Sequence, residues 1–383
     1  MNETIYMPVG EVCSSISDTY REKKNMVTLI NTSDVLEGRV LNHERVPNSN
    51  LKGQFKKTFQ RDDILYSEIR PQNRRFAYVD FSPIDYIAST KLMVIRAKKD
   101  VVSPKYLYYF LKNSSTVAEL QLLAETRSGT FPQITFSEVA NLTIPVPPLA
   151  VQEVIVQTMQ CLEDKTTCNE QINDNLADLL QTIYQERFVN DILAVNQGVL
   201  SDICSYSRDK VAVSELNIRT YFSTENMLSG KAGSTEATSL PTTSQTTACH
   251  KGDTLISNIR PYFKKIVYCE DKCGCSTDVL CFTPSQPRYS AYLFSTLYAD
   301  KFFAFMVAGS KGTKMPRGDK QQIMTYPVVL PSEEELAGFN TIASPLLEQI
   351  YSNRAENKRL SILRDTLLPK LMSGEIDVSA VQL

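Results

Sequence analysis

The clearest pattern along the chain is a seven-residue repeat of apolar positions that occurs twice, each time within a long polar stretch. The first copy covers residues 151–189, and the second repeats it in the same phase 184 residues later. Two apolar positions in seven predict a coiled-coil helix rather than a helix docked broadly on a globular core. The predicted seam consists of Ile155, Leu162, Asn169, Ile172, Leu176, Leu179 and Ile183 in the first copy and of Phe339, Ile342, Leu346, Asn353, Leu360, Leu363 and Leu367 in the second.

Each predicted seam has an asparagine at its centre, Asn169 in the first copy and Asn353 in the second. A buried amide lowers the stability of a coiled coil but fixes its register. The matched phase therefore predicts that the two helices pair antiparallel, with Asn169 facing Asn353 and a pseudo-twofold axis between them. Two unrelated amphipathic helices on separate cores are the alternative.

The rest of the chain is repeated together with the helices. The strongest pair is DILYSEIRPQNRRFAY at residues 63–78 and DTLISNIRPYFKKIVY at 253–268, which share seven of sixteen positions. A proline-punctuated segment precedes each long helix, IPVPPL at 144–149 and YPVVLP at 326–331. The predicted order is a domain at 1–150, a spacer helix at 151–189, a second domain at 190–332, and a second spacer helix with a tail at 333–383.

Each predicted domain mixes strands and helices. Residues 64–69 and 254–259 are short β-rich runs that a following proline ends, and residues 88–97 and 279–283 predict further strands. Aromatic-rich stretches at residues 106–124 and 289–307 predict core-packing helices. The predicted fold class is α+β, with two similar mixed α/β domains and two long helices that form an antiparallel, pseudo-twofold symmetric coiled coil.

Composition narrows the class of protein. A chain of 383 residues with 42% hydrophobic and 22% charged residues predicts a globular protein of roughly two or three domains. The net charge of −2 argues against binding nucleic acid over the whole surface but allows local basic patches. The sequence has neither an apolar run of about 18 residues nor a signal peptide, so we expect a cytoplasmic protein without a membrane span.

Motifs for catalysis and metal binding are missing from the sequence. Cys269, Cys273, Cys275 and Cys281 are close together but form no CxxC pair, and the chain has only two histidines. We therefore expect no metal site and interpret these cysteines as half-buried strand residues. No phosphate-binding loop, dinucleotide fingerprint or nucleophile pair is recognisable, so no catalytic residue is predicted.

Basic residues cluster at the same place in both repeats, which favours a function in DNA binding over a merely solvated face. Arg70 matches Arg260, and the dibasic pair that follows in each copy also matches. An ion pair of Arg70 or Arg260 with Asp63 or Asp253 is the structural alternative. The candidate DNA-binding residues are Lys52, Lys56, Lys57, Arg61, Arg70, Arg74, Arg75, Arg127 and Thr130 in the first domain and Arg260, Tyr262, Lys264, Lys265, Lys311, Thr313, Lys314 and Arg317 in the second.

These features together resemble the specificity subunit of type I restriction–modification enzymes. The resemblance rests on the repeated domain–helix order, the two IRP segments, the SGT and KGT loops at 128–130 and 311–313, the IPVPPL segment, and LLPKLMSGEI at 367–376. It extends over essentially the whole chain.

The resemblance implies two target-recognition domains, each reading one half of a split double-stranded DNA sequence. It further implies that the spacer helices dock two methyltransferase subunits and that restriction/translocase subunits join the complex. No catalysis and no cofactor are implied for this chain, because S-adenosylmethionine, ATP and Mg²⁺ are expected on the partner subunits. Two other functions stay open, a stand-alone DNA methyltransferase or nuclease and a coiled-coil adaptor without a DNA role.

Overall fold

The computed structural model describes residues 4–49, 53–127, 130–190 and 196–378. Within this part of the chain the residues fall into two compact units, Met1–Thr166 with Asn357–Leu383, and Thr167–Glu356. Each unit combines an α/β domain with a portion of both long helices.

The first unit contains short strands and helices that lead into the first long helix. Its strands are β1 (Ile5–Pro8), β2 (Cys13–Ile16), β3 (Met26–Ile30), β4 (Val35–Leu36), β5 (Arg39–Val40), β6 (Val46–Pro47), β7 (Phe55–Lys57), β8 (Ile64–Ser67), β9 (Phe76–Tyr78), β10 (Tyr86–Ser89), β11 (Leu92–Ala97) and β12 (Thr143–Val146). Its helices are α1 (Val9–Val12), α2 (Pro104–Lys112), α3 (Ser114–Arg127), α4 (Phe136–Asn141) and the start of α5 (Leu149–Tyr184), which continues as a π-helical turn over Gln185–Val189.

Strand β8 lies within an antiparallel sheet of order β2-β11-β8-β9 and is buried on both faces. Side chains alternate across a strand, so Ile64 and Tyr66 enter the core that holds helix α2, whereas Leu65 enters a second core on the opposite face. Burial on both faces explains why this strand is a continuous apolar run. A second sheet, of order β6-β3-β10-β7, contains the parallel pair β3 and β10.

The second unit contains the corresponding strands and helices. Its strands are β13 (Gln197–Val199), β14 (Cys204–Tyr206), β15 (Lys210–Ala212), β16 (Tyr221–Phe222), β17 (Gln245–Cys249), β18 (Thr254–Ser257), β19 (Ile266–Tyr268), β20 (Cys273–Cys275), β21 (Val279–Pro284) and β22 (Pro327–Val329). Its helices are α6 (Leu200–Ile203), α7 (Ser290–Tyr298), α8 (Asp300–Ala308), α9 (Lys320–Ile323) and part of α10 (Glu333–Ser373).

The topology of the second unit repeats that of the first. The sheet order β14-β21-β18-β19 matches β2-β11-β8-β9, and the antiparallel pair β13–β22 matches β1–β12. Even small details recur, since the thiols of Cys13 and Cys204 each contact the carbonyl oxygen four residues earlier, at 3.2 and 3.4 Å. The predicted fold class of two similar mixed α/β domains is confirmed.

Most predicted elements are present, but several are divided. The strand predicted over residues 88–97 is two strands, β10 and β11, joined by a turn. The two predicted aromatic helices are each broken in the middle, into α2 and α3 and into α7 and α8. Their aromatic residues pack in the cores as predicted, because Tyr106, Tyr109 and Tyr292 are fully buried.

The long helices pair antiparallel within each unit. In the first unit Ile155 and Met159 share a core with Leu371, and the Asn357 amide donates to the Thr166 carbonyl oxygen at 3.3 Å. Higher residue numbers in α5 therefore lie beside lower residue numbers in α10, which means that the two helices run antiparallel. In the second unit the core residues Leu180 and Tyr184 of α5 are joined by Ala343 and Leu347 of α10. The predicted antiparallel coiled coil is confirmed.

The central asparagines are buried as predicted, but they do not face each other. Asn169 donates to Glu356 at 2.7 Å, and Asn353 donates to the Asn173 side-chain oxygen at 2.9 Å. The predicted pairing of Asn169 with Asn353 was therefore wrong by about one helical turn.

One of the two predicted seam columns was also wrong. The column that contains Ile155 and Phe339 is buried or half-buried throughout, namely Ile155, Leu162, Asn169, Leu176 and Ile183 with Phe339, Leu346, Asn353, Leu360 and Leu367. The second column is instead exposed: Ile172, Leu179, Ile342 and Leu363 have exposed fractions of 39%, 47%, 38% and 44%. The second seam position lies four residues after the first rather than three, at Met159, Asn173 and Leu180.

Candidate nucleic-acid interface

The repeated IRP segment forms the same strained turn in both units. A 3₁₀ turn, Pro71–Asn73 or Pro261–Phe263, is flanked on each side by a basic residue with left-handed backbone. The φ angles are +45° at Arg70 and +52° at Arg74, and +51° at both Arg260 and Lys264. Residues other than glycine rarely adopt this conformation, and such strain concentrates at functional sites. These two segments, 70–74 and 260–264, are called the Arg–Pro turns below.

A proline-bearing loop holds each Arg–Pro turn in place. The backbone N–H of Arg70 donates to the Pro132 carbonyl oxygen at 3.0 Å, and that of Arg260 donates to Pro316 at 2.8 Å. Single β-bridges join Ile69 to Gln133 and Ile259 to Arg317 in the two units. These contacts bring the loops next to the Arg–Pro turns. The loops carry the predicted residues Thr130, Lys311, Thr313, Lys314 and Arg317.

In the first unit some predicted basic side chains are exposed, whereas others form hydrogen bonds within the protein. Lys56, Arg61 and Arg70 are exposed. The half-buried Lys57 ammonium donates to the carbonyl oxygens of Thr90 and Leu92, at 3.1 and 2.8 Å, and burial lowers the Lys57 pKa.

The remaining predicted side chains of the first unit have internal partners or lie outside the described residues. Arg75 donates to the carbonyl oxygens of residues 33 and 35, and Arg74 donates to the Ser114 hydroxyl at 2.9 Å. Arg127 forms an exposed ion pair with Glu138. Lys52 lies outside the described residues. Contact of any of these residues with DNA stays a prediction.

In the second unit the predicted residues surround the Arg–Pro turn more closely. Tyr262 is 50% exposed and packs against Phe263, with ring centroids 4.8 Å apart. The Arg260 guanidinium donates to the Lys314 carbonyl oxygen at 3.5 Å, while its buried Nε has no partner among the described residues. Thr313 and Lys314 are exposed.

Acidic residues neutralise part of this surface. Lys264 pairs with Asp300 at 2.9 Å, and Arg317 pairs with Asp278 at 3.0 Å. Lys311 pairs with Asp319, and its hydrogen bond holds the Asp319 pKa below the ordinary range. The Lys265 ammonium donates to the backbone at residue 224, and burial lowers its pKa. Ion pairs between exposed groups are weak, so DNA phosphates can compete for these cations.

The alternative ion pairs suggested for the Arg–Pro turns do not form. Asp63 is buried and accepts two hydrogen bonds from Arg96, at 2.7 and 2.8 Å. Its counterpart Asp253 accepts from the His250 backbone N–H at 2.8 Å and from the Cys281 thiol at 3.3 Å. Burial raises the pKa of Asp253. Neither carboxylate contacts Arg70 or Arg260; Arg70 is exposed, and Arg260 is half-buried with its guanidinium on the Lys314 carbonyl oxygen.

The cysteines divide sharply by exposure. Cys269, Cys273, Cys275 and Cys281 were expected to be half-buried, but all are buried, and together with Cys249 they fill one core of the second unit. Their small, polarisable side chains pack there as apolar residues. Within the described residues no group of three or more His, Cys, Asp or Glu side chains is arranged to hold a metal ion. By contrast, the thiols of Cys161 and Cys168, on helix α5, are exposed.

Two candidate residues escaped the sequence analysis, which selected basic residues and their polar or aromatic neighbours within the repeated segments. Phe131 and Met315 are exposed by 65% and 50% and immediately precede Pro132 and Pro316. Their signal in the sequence was the shared proline, which lies two residues after the SGT loop and three residues after the KGT loop.

The repeated α/β units and the antiparallel long helices define a known fold. The crystal structure of the type I restriction–modification system S subunit from M. genitalium aligns with a TM-score of 0.54 and 17% identity, over 97% of this chain and 96% of that one. The chain therefore has the fold of a type I S subunit. Among the described residues, no helix combines the length and hydropathy that a membrane span requires.

Sequence comparisons identify the family of the first part of the chain. Residues 6–177 match the model of the type I restriction modification DNA specificity domain. The HindI specificity subunit of Haemophilus influenzae is 39% identical over 187 residues, which make up 49% of this chain and 41% of that protein. The MjaIX specificity subunit of Methanocaldococcus jannaschii is 22% identical over 365 residues, 78% of this chain and 76% of that one. This chain spans less than half the length of the H. influenzae subunit, and the type I DNA specificity domain model matches it over residues 6–177.

Proposed function

We propose that the chain is the DNA-specificity subunit of a type I restriction–modification complex and has no catalytic role of its own. The observation that carries this proposal is the Arg–Pro turn. The same strained, basic turn, braced by the same backbone hydrogen bond, occurs in both units of a chain that also carries the family's specificity domain. Two copies of one reading device suit a DNA target that is divided into two parts.

Double-stranded DNA is the proposed ligand of both turns. Arg70 in one unit and Lys314 in the other are exposed cations that can neutralise phosphates, and Arg260 is a donor suited to guanine in the major groove. The corresponding side chains differ, with Gln72 in one turn and Tyr262 in the other. We therefore propose that the two halves of the target have different sequences.

The proposed complex supplies its chemistry through partner subunits. Two methyltransferase subunits would bind S-adenosylmethionine, and restriction/translocase subunits would use ATP and Mg²⁺, all in the cytoplasm where the DNA is found. The exposed apolar column of helix α5, Ile172 and Leu179, supports docking of such a partner. Apolar side chains in a row on a helix surface are a typical binding feature.

Methylome sequencing tests the proposed function directly. The chain is co-expressed with the modification subunits of its host, and the methylated positions of the genome are compared with and without the chain. We expect a split, asymmetric motif that disappears when the chain is omitted. A continuous or palindromic motif, or methylation that persists without the chain, would contradict the proposal. Binding of the purified complex to the motif should also weaken steeply as salt concentration rises.

A further inference from the structure

The most unusual surface feature near the Arg–Pro turns is a pair of exposed apolar side chains, Phe131 and Met315. They occupy equivalent positions of the two repeats, one residue before the proline whose carbonyl oxygen binds the turn. The exposed fractions of the two side chains are 65% and 50%. The neighbouring backbone is held to the turn, so each side chain has a defined position beside it.

In the second unit this position lies on a closed hairpin. Lys311 and Arg317 exchange both backbone hydrogen bonds, each at 2.9 Å. Gly312 permits the tight turn between them with a φ of +100°, a value that L side chains rarely adopt. Met315 therefore lies in a five-residue loop, residues 312–316, that a single β-bridge closes and that also carries the exposed Lys314.

The size of this loop indicates which DNA groove it fits. A closed loop with projecting side chains needs the major groove, which is about 12 Å wide, because the minor groove is about half that width. The apolar group on the base edges of the major groove is the 5-methyl group of thymine. Two cations lie on this loop or at its end, Lys314 and Arg317, and can hold the adjacent phosphates and so bring the apolar side chain to the bases.

We propose that Met315 and Phe131 each contact the 5-methyl group of a thymine, one in each half of the DNA target. This inference rests on the proposed function and deepens it by naming residues that read bases. Phe131 is included because it occupies the position equivalent to Met315 and because the proline that follows it accepts a hydrogen bond from the first Arg–Pro turn. The difference between a phenyl ring and a thioether would let the two halves prefer different neighbouring bases.

Replacing thymine with uracil removes only the methyl group and leaves every hydrogen-bonding edge in place, so it is the sharpest test. The complex is titrated with DNA duplexes that contain the motif found by methylome sequencing. In each duplex a different thymine of the motif is replaced by uracil. We expect about a fourfold loss of affinity at one thymine in each half, the effect of one buried methyl group. Phe131→Ala should abolish the loss in one half only, and Met315→Ala should abolish it in the other half.

The control is Leu122→Ala, which removes an apolar side chain of the first unit that is 63% exposed on helix α3. This variant should keep the thymine-to-uracil ratio of the unsubstituted chain, and thermal unfolding should show that all three variants fold. If uracil has no effect, or if both loop variants keep the ratio, the proposal is overturned while specific DNA binding still supports the specificity function. Loss of a partner subunit with an unchanged ratio would instead make the two side chains a protein contact and also overturn it. Failure of the unsubstituted complex to bind the motif would contradict the proposed function itself.

Discussion

Individual residues of the Arg–Pro turns are held in a conformation that their side chains disfavour. Left-handed backbone costs an L residue about 1–2 kcal/mol, and each turn contains two such residues. Glycine would adopt the same backbone without strain, yet arginine or lysine stands at all four positions. The charged side chain therefore matters more than the local stability.

Arg70→Gly separates the two effects. It relieves the backbone strain and removes the guanidinium, so thermal unfolding should change by no more than about 1 kcal/mol. DNA affinity should nevertheless fall, and the slope of log affinity against log salt should decrease by about one unit. The control Arg21→Gly removes an exposed charge outside the turn and should leave the slope unchanged. An equal change in both variants would show that the turn has no special role.

Asp63 and Asp253 are equivalent residues of the two repeats, but their side chains have different surroundings. Arg96 in β11 corresponds to Thr283 in β21, so only the first unit supplies an arginine from this strand. The alignment of the repeats predicted equivalent positions for the aspartates because each begins a segment of the form DxLxSxIRP. It could not predict their side-chain partners, because these come from strands about 30 residues away in the sequence whose pairing only the fold defines.

Asparagine substitution should distinguish the two aspartates. Asp63→Asn leaves Arg96 without its buried partner and should destabilise the chain by about 3 kcal/mol in thermal unfolding at pH 7. Asp253 has a pKa raised by burial, so its folded state favours the protonated acid. The resulting stability is present below the ordinary pKa of 3.8 and is lost as pH rises through the raised value.

Asp253→Asn should therefore be as stable as the unsubstituted chain or more stable at neutral pH, with a flatter stability profile above about pH 4. Equal destabilisation by both substitutions would contradict this interpretation.

At the scale of elements, the long helices show how far a heptad pattern can be read. The period and the first seam column were predicted correctly, because buried apolar residues recur every seven positions there. The second column could lie three or four residues further on. Ile172 and Leu179 favoured the first choice, whereas the buried column contains the polar Asn173, which a hydrophobic pattern cannot select. Its side chain is satisfied by Asn353 of the other helix, a partner that is invisible along the chain.

Two adjacent leucines test this assignment. Leu180 is 1% exposed and Leu179 is 47% exposed. Leu180→Asp places a charge in the seam and should destabilise the chain by more than about 3 kcal/mol in thermal unfolding. Leu179→Asp should change stability by less than about 0.5 kcal/mol. If the exposed column docks a modification subunit, Leu179→Asp should still weaken co-purification of that subunit. If Leu179→Asp destabilised the chain more than Leu180→Asp, the seam predicted from the sequence, which contains Leu179, would be correct.

At the scale of the whole molecule, the two units have one topology and different turn residues. Under the proposed function, we expect each unit to read one half of the target independently. Residues of one Arg–Pro turn should affect one half of the motif alone. Tyr262→Gln introduces the side chain that the first turn carries at Gln72 and should broaden or change base preference by about 1–3 kcal/mol in one half-site. Methylome sequencing of the variant is the measurement. Changes in both halves would show that the two units do not read separately.

The uneven burial of the thiols has a practical consequence. The seven cysteines outside the long helices are buried, while Cys161 and Cys168 are exposed on helix α5, one heptad or about 10 Å apart. A maleimide dye would therefore label the native chain on one stripe of that helix without any engineered residue. A subunit that binds this surface of the helix would shield both thiols from the dye. The rate of alkylation therefore reports whether the subunit is bound.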